Sequence, residues 1–178
     1  MGYLLEGEET DRLLFRKVTQ TDFDTWLPFH KEPLSTEFWT GIHADPVIAC
    51  EQQFEQIFYR YKNDLGGMNA LVNKTSGKLI GLCGLLIQQV DGLEELEIGY
   101  SILPQYWSQG YATEAAIKCK QYAFDKELHL KFANNSLISI IQVDNMASQK
   151  VARNNGMFLD KTTRYKDNPV HIFRVKNR

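Results

Sequence analysis

Between Leu93 and Ala115 the chain runs as one strand, stops at Pro104, and starts a helix directly after Gly110. A strand–loop–helix joint with glycine at the helix start leaves backbone N–H groups unpaired and turns the positive end of the helix dipole toward the loop. An anion such as a phosphate or pyrophosphate can sit there without any Lys or Arg. The joint lacks both the GxxxxGK spacing of a nucleotide P-loop and the GxGxxG of a dinucleotide fold. On the strand, Leu96, Ile98, Tyr100 and Ile102 point one way, while Glu95, Glu97, Gly99 and Ser101 point the other. A strand buried on both faces is apolar on both. The carboxylate face therefore belongs either to a solvated edge strand or to a cleft, where Gly99 would admit a ligand or another backbone.

The rest of the chain reads as βααβββαβαββ, a mixed α/β layer arrangement. Asp11–Val18 alternates as a first strand, and Thr19–His30 follows as a short helix. Asp45 caps a second helix with Pro46 at its first position, and its apolar stripe runs Val47, Cys50, Phe54, Ile57, Phe58, Tyr61. Met68–Asn73, Lys78–Val90 and Leu93–Leu103 are strands, the last two joined by an Asp91-Gly92 hairpin turn. After Gly110, a helix presents Ala112, Ala115, Ala116, Cys119 and Ala123 on one small-residue face. Leu137–Val143 is a buried strand, Asp144–Asn155 a helix ended by Gly156, and Met157–Tyr165 and Val170–Val175 are the last strands. No repeat or low-complexity linker divides the sequence, so 1–178 reads as a single domain with its core at about 10–175.

Composition narrows the function classes. Twenty Lys and Arg against 22 Asp and Glu give a net charge of −2, with no basic footprint for nucleic acid. The three cysteines lie in apolar patterns without CxxC spacing, as buried thiols in a reducing compartment do. Met1–Thr10 is acidic without an apolar core, which is not the pattern of a signal peptide, and no apolar run reaches the ~18 residues a membrane helix needs. A cytoplasmic protein with no membrane partner is expected. The four histidines show no metal-ligand spacing, so no metal is expected.

A further candidate element is Asp144-Asn145-Met146-Ala147-Ser148, leading to Asn154-Asn155-Gly156. Asn145 and Ser148, three apart, project from one side of a first helical turn. Either they serve a ligand, or Asp144 or Asn145 simply caps the helix.

Together these elements resemble the GNAT superfamily of N-acetyltransferases, and more narrowly its RimJ/RimL branch, the ribosomal-protein alanine N-acetyltransferases and their small relatives. The resemblance rests on Thr10–Arg16, on Glu97-Ile98-Gly99-Tyr100 followed by Tyr106–Ala115, and on Asn145-x-x-Ser148 with Gly156, and it spans roughly Thr10–Val175. It implies a GNAT-like acyl-CoA N-acyltransferase fold of α/β (α+β) class. The central sheet would be mixed, mostly antiparallel and splayed in the middle, with helices on both faces. It also implies acetyl-CoA as cosubstrate. Backbone amides of Gln109, Gly110, Tyr111, Ala112 and Thr113 would hold the pyrophosphate, the backbone of Ile102 and Leu103 would pair with the pantetheine arm, and Asn145 would contact pantetheine. Where many members carry a tyrosine six residues after the asparagine, this chain has Val151, and the position of the first Arg or Gln of the loop is Trp107.

An acceptor amine must lose a proton before it attacks, since a free α-amino group has a pKa of ~8 and a lysine ~10.4. Glu97 is the first candidate for the base and Glu95 the second, directly or through water. Ser148 is the candidate for protonating the leaving thiolate. Glu94, Glu95 and Glu97 together would make an acidic mouth suited to a cationic acceptor, either a peptide or protein N-terminus or a small amine, with the aromatic stretch Glu37–His43 as a wall or a satellite cluster. Lys118, Lys120, Lys150 and Arg153 are solvated helix residues or contacts for the 3′-phosphate of CoA. The expected activity is direct acetyl transfer to a primary amine in a ternary complex, by a monomer or homodimer. The alternative is a non-catalytic acyl-CoA-binding module on the same fold.

Overall fold

A computed structural model describes residues 2–178; Met1, where the N-terminal stretch begins, lies outside them. Seven strands and four α-helices follow one another in the order predicted from the sequence. They are β1 (Leu13–Lys17), α1 (Phe23–Lys31), α2 (Pro46–Lys62), β2 (Gly66–Asn73), β3 (Leu79–Val90), β4 (Leu93–Ile102), α3 (Tyr111–Asp125), β5 (Ser136–Gln142), α4 (Met146–Asn154), β6 (Phe158–Tyr165) and β7 (Asn168–Lys176). Asp45 does cap α2, its carboxylate accepting from the Val47 N–H at 2.9 Å. The helix expected from Thr19 begins instead as a 3₁₀ turn over Gln20–Asp22. Asp22 folds back to accept from the Thr19 N–H at 2.8 Å, which tightens that first turn before α1 begins.

One mixed sheet runs β1-β2-β3-β4-β5-β7-β6, and every neighbouring pair is antiparallel except β4 with β5. That parallel pair is short. It is in register only at Leu96 with Leu137 and at Glu97 with Ile138, although both strands continue beyond. Side chains replace the ladder where it stops. The Ser139 hydroxyl donates to the Ile98 carbonyl at 2.8 Å, and the Ile140 N–H donates to the Glu97 carboxylate at 3.3 Å. From there the strands part, leaving a gap in the middle of the sheet.

Each face of the sheet is covered by helices. Leu96, Ile98 and Ile102 of β4 pack in one core cluster with Ala115, Ala116 and Cys119 of α3, whose small side chains let the helix lie close. On the other face Trp26 and Phe29 of α1 and Cys50, Phe54 and Ile57 of α2 form a second cluster with Ala70, Leu82 and Leu103. No helix among the described residues is long and apolar enough to cross a membrane.

Candidate active site

Glu97 stands at the point where β4 and β5 part. Gln88 Nε2 of β3 donates to its Oε1 at 3.0 Å and the Ile140 N–H to its Oε2 at 3.3 Å. Burial pushes the Glu97 carboxyl above the ordinary range; the bonds from Gln88 and Ile140, and the more distant charges of Arg60 and Lys166, pull the other way. A carboxylate with raised proton affinity is chemically suited to take a proton from an ammonium.

Glu95, the second candidate from the sequence, is not available for that work. It is 2% exposed and gripped by Arg174 of β7 through two hydrogen bonds of 3.0 and 3.1 Å, with Asn134 donating a third at 2.9 Å. Although alternation places it on the Glu97 face, β5 and β7 cover it. The acidic mouth expected from three glutamates is corrected accordingly, because Glu95 is neutralised by its ion pair. Gly99 also differs from expectation. A Cβ there would lie 2.9 Å from Leu86 Cδ1 and 3.5 Å from Met68 Sδ, so its missing side chain makes room for core residues, not for a ligand.

The backbone edge at the gap follows from the pleat. The Leu103 N–H donates to the Ile80 carbonyl at 2.9 Å, and the Ile98 carbonyl accepts from Ser139 of β5. Odd-numbered residues of β4 thus aim their backbone at β3 and even-numbered ones at β5. Leu103 was expected at the open edge beside Ile102, but its amide is committed to β3. Tyr100, part of the Glu97–Tyr100 motif but not expected among the cofactor-binding residues, shares that edge with Ile102 by the same parity. Part of the edge is already occupied, since the Trp107 indole donates to the Ile102 carbonyl at 2.7 Å.

Gly110 caps α3 at φ +82°, a left-handed conformation that glycine adopts without strain, and no side chain caps the helix N-terminus. Ala112 and Thr113 are half-buried and Gln109 exposed, while Tyr111 turns inward beside Tyr106. Arg12 braces this loop. Its guanidinium lies 4.1 Å over the Tyr111 ring and donates to the Gln109 carbonyl at 3.0 Å and to Glu114 at 3.1 Å. Its place in the sequence gave no hint of this role, because the partners lie about a hundred residues downstream. A cavity of about 660 Å³ runs beside the helix start, from Gly110 and Thr113 to Asn154 at the end of α4.

Asn145 is the N-cap of α4, its Oδ1 accepting from the Ser148 N–H at 3.1 Å, while Asp144 lies outside the helix. Only the oxygen of the Asn145 amide does the capping, so the cap leaves the NH₂ group unused. Ser148 is half-buried, and the Tyr100 hydroxyl, crossing from β4, donates to its carbonyl at 2.7 Å. Of the four basic candidates, Lys118 pairs with Glu8 at 3.1 Å and Lys120 donates to the Asn155 carbonyl at 2.8 Å. Arg153 lies over Phe173.

A second cavity, of about 450 Å³, opens between the β3–β4 hairpin and the β6–β7 turn. Gln88 and Tyr165 line it, as do exposed Glu94, Arg164 and Lys166, so its walls carry both signs of charge. The aromatic stretch before α2 docks beside it: Thr40 donates to the Lys166 carbonyl at 2.9 Å, and the Asn168 amide to the Phe38 carbonyl at 2.8 Å. Trp39 also packs on Phe29 and His30, so the segment is both a satellite cluster and a neighbour of the cavity. Among the described residues no group of His, Cys, Asp and Glu has the geometry of a metal site.

A mixed sheet parted between β4 and β5, with an uncapped helix N-terminus following β4, is the architecture of a GNAT-class acyltransferase. Residues 12–158 match the acetyltransferase (GNAT) domain family, and the chain belongs to it. YkkB, an uncharacterized protein of Bacillus subtilis, is 28% identical over 172 residues, covering 94% of each chain. An acetyltransferase from Agrobacterium tumefaciens superposes with a TM-score of 0.79 at 22% identity, over 99% of this chain and 98% of that one. RimL, the ribosomal L7/L12 α-N-protein acetyltransferase solved with coenzyme A, superposes at 0.66 with 14% identity, over 96% and 97%. These structures share the fold.

Proposed function

We propose that this chain is a single-domain enzyme that transfers the acetyl group of acetyl-CoA to a primary amine by direct attack in a ternary complex. The observation that carries the reading is the Glu97 carboxylate, held by Gln88 and Ile140 where β4 and β5 part. The residues present fit an acyl-CoA. The uncapped start of α3, from Gln109 through Thr113, offers N–H groups and a helix dipole to a pyrophosphate. Tyr100 and Ile102 offer backbone groups to an extended pantetheine arm, and Asn145 offers its amide NH₂. Bound there, acetyl-CoA supplies the activated acyl group. A β4 N–H at the gap, that of Tyr100 or Ile102, stabilises the negative charge that builds on the thioester oxygen.

Glu97 attracts the acceptor ammonium and removes its proton, directly or through one water. Ser148 hydrogen-bonds or protonates the departing thiolate. The acceptor enters by the 450 Å³ cavity beside Gln88 and Tyr165. It is a peptide or protein N-terminus, as the likeness to the RimJ/RimL branch favours, or a small cationic amine. The reaction belongs to the reducing cytoplasm, where Cys50, Cys83 and Cys119 stay as buried thiols.

The test is acetyl-CoA consumption, read as free thiol, against a panel of N-terminal peptides, polyamines and other small amines. Turnover on any of them is expected. Silence across the panel together with tight acetyl-CoA binding by calorimetry would replace this reading with a non-catalytic acyl-CoA-binding module, the reading that Val151 in place of a tyrosine favours.

A further inference from the structure

We infer that Gln88 is a positioning residue for Glu97, with an amide that Arg60 and Tyr165 lock in the one orientation that donates to the carboxylate. The inference rests on the reading of Glu97 as the base. In the β3–β4 register Gln88 lies opposite Glu95 and Leu86 opposite Glu97, so Gln88 and Glu97 are diagonal neighbours on one face, within reach of long side chains. Glu95, the direct neighbour, is turned away into Arg174. That leaves Gln88 Nε2 to Glu97 Oε1, at 3.0 Å.

The other end of the Gln88 amide is fully engaged. Its Oε1 accepts from Arg60 Nη2 at 3.0 Å and from the Tyr165 hydroxyl at 2.8 Å. A guanidinium has no acceptor, so turning the amide over would set N–H against N–H. Arg60 cannot swing away either, because its Nη1 donates to the Leu65 carbonyl at 3.0 Å and the Ile87 carbonyl at 3.1 Å. Burial pushes the Tyr165 hydroxyl up to about 12, and the nearby Glu97 charge adds to that, so it stays protonated and donating at neutral pH.

The interposed amide has a chemical consequence. An arginine paired directly with Glu97 would favour the ionised form so strongly that the carboxylate would be a poor base. A neutral N–H from Gln88 fixes the carboxylate's direction and leaves most of its proton affinity, while the Arg60 charge acts from behind the amide. The other charged or titratable groups coupled to Glu97 are Lys166 on the β6–β7 turn, Tyr165 on β6 and, from the opposite face of its own strand, Tyr100. With Gln88 on one oxygen and Ile140 on the other, each oxygen keeps a lone pair for the ammonium or a water.

The experiment labels glutamate at the δ-carbon and follows the Glu97 carboxyl by NMR through a pH titration, its signal assigned by its absence in Glu97→Gln. In Gln88→Leu the Glu97 midpoint is expected to rise by about one pH unit, the scale of one lost charge-assisted hydrogen bond. In Gln88→Glu, which keeps the side-chain size, two carboxylates at hydrogen-bond distance share one proton and the upward shift is larger. The acid limb of kcat/KM moves by the same amount, with KM for acetyl-CoA unchanged. A Glu97 midpoint unmoved in folded Gln88→Leu, or in Gln88→Glu should the leucine variant not fold, would overturn the inference. An acid limb that survives in Glu97→Gln overturns the base reading instead, and the NMR midpoints still decide whether Gln88 governs Glu97.

Discussion

Arg174 holds Glu95 across β5 with two parallel hydrogen bonds, and the same guanidinium donates to Ser136 at 2.7 Å and Asp160 at 3.0 Å. Arginine and glutamate are 5% and 2% exposed, so each is the other's replacement for water. Removing one partner strands the other as a buried charge. Arg174→Ala is expected to cost roughly 3–5 kcal/mol, read from the denaturant midpoint at constant slope. Glu95→Gln should leave the pH dependence of any turnover where it was, since Glu95 is buried and committed to Arg174.

Glu97 gives the opposite pattern. Glu97→Gln keeps the size and the Ile140 bond, so acetyl-CoA affinity by calorimetry should stay near the wild-type value while the acetylation rate falls by ~10²-fold or more. The sign of the pH effect follows from the raised carboxyl. The base works only when ionised, so wild-type activity rises with pH through a midpoint above the ordinary carboxylate range, and the variant lacks that limb. An unchanged rate across the pH range would remove Glu97 from the role.

At the start of α3 the two exposed devices are separable. A side chain at Gly110 must adopt φ +82°, and a large one fills the space before the helix N-terminus, so Gly110→Trp should abolish CoA binding. Arg12 makes the loop's shape without belonging to it. Arg12→Met keeps the stacking length but loses the donors to Gln109 and Glu114. CoA affinity is expected to drop about tenfold, the equivalent of ~1.4 kcal/mol, with the helix intact by circular dichroism.

Elements with local signals were legible in the sequence. Asp45 and Pro46 announced α2, Asp91-Gly92 the β3–β4 turn, and Gly110 the start of α3, because caps and turns are decided within a few residues. That Glu97 shares a strand face with Glu95, away from Leu96 and Ile98, was legible for the same reason, since strand alternation is a local property. What escaped is long-range. The partner that takes Glu95 out of the site is 79 residues away, and nothing in the strand's own pattern distinguishes the two glutamates. Gly99 gave a false hint because its neighbours Met68 and Leu86 belong to other strands. Asn134 and Ser136 are likewise distant in sequence from the pair they hold, Asn134 donating to Glu95 and Ser136 accepting from Arg174.

Asp22 sets a pH limit on stability away from the site. Arg16 meets its carboxylate with bonds of 2.8 and 2.9 Å. Burial alone would raise the Asp22 carboxyl, but the bonds from Arg16 and from the Thr19 N–H outweigh it and hold the group below the usual 3.8. A carboxyl lowered by folding contributes stability that is fully present above the unfolded value and lost as pH falls through the folded one. Acid unfolding should therefore draw on this pair only below about pH 4, and Asp22→Asn should flatten that part of the profile while costing ~2 kcal/mol at neutral pH.

Tyr100 and Ser148 meet at the start of α4. The Tyr100 hydroxyl anchors the first turn of the helix through the Ser148 carbonyl, and Asn145 anchors it from the other side through the Ser148 N–H. Both bonds use the serine's backbone and neither engages its hydroxyl. If Ser148 serves the leaving thiolate as proposed, Ser148→Ala should lower kcat by ~10-fold with KM for acetyl-CoA unchanged. Tyr100→Phe removes one hydrogen bond, about 1 kcal/mol of stability, and loosens the turn that carries both Asn145 and Ser148. Its signature is a rise in KM together with a fall in kcat. If Ser148→Ala turns over like the wild type while Tyr100→Phe is impaired, water supplies the proton and the serine serves only to begin the helix.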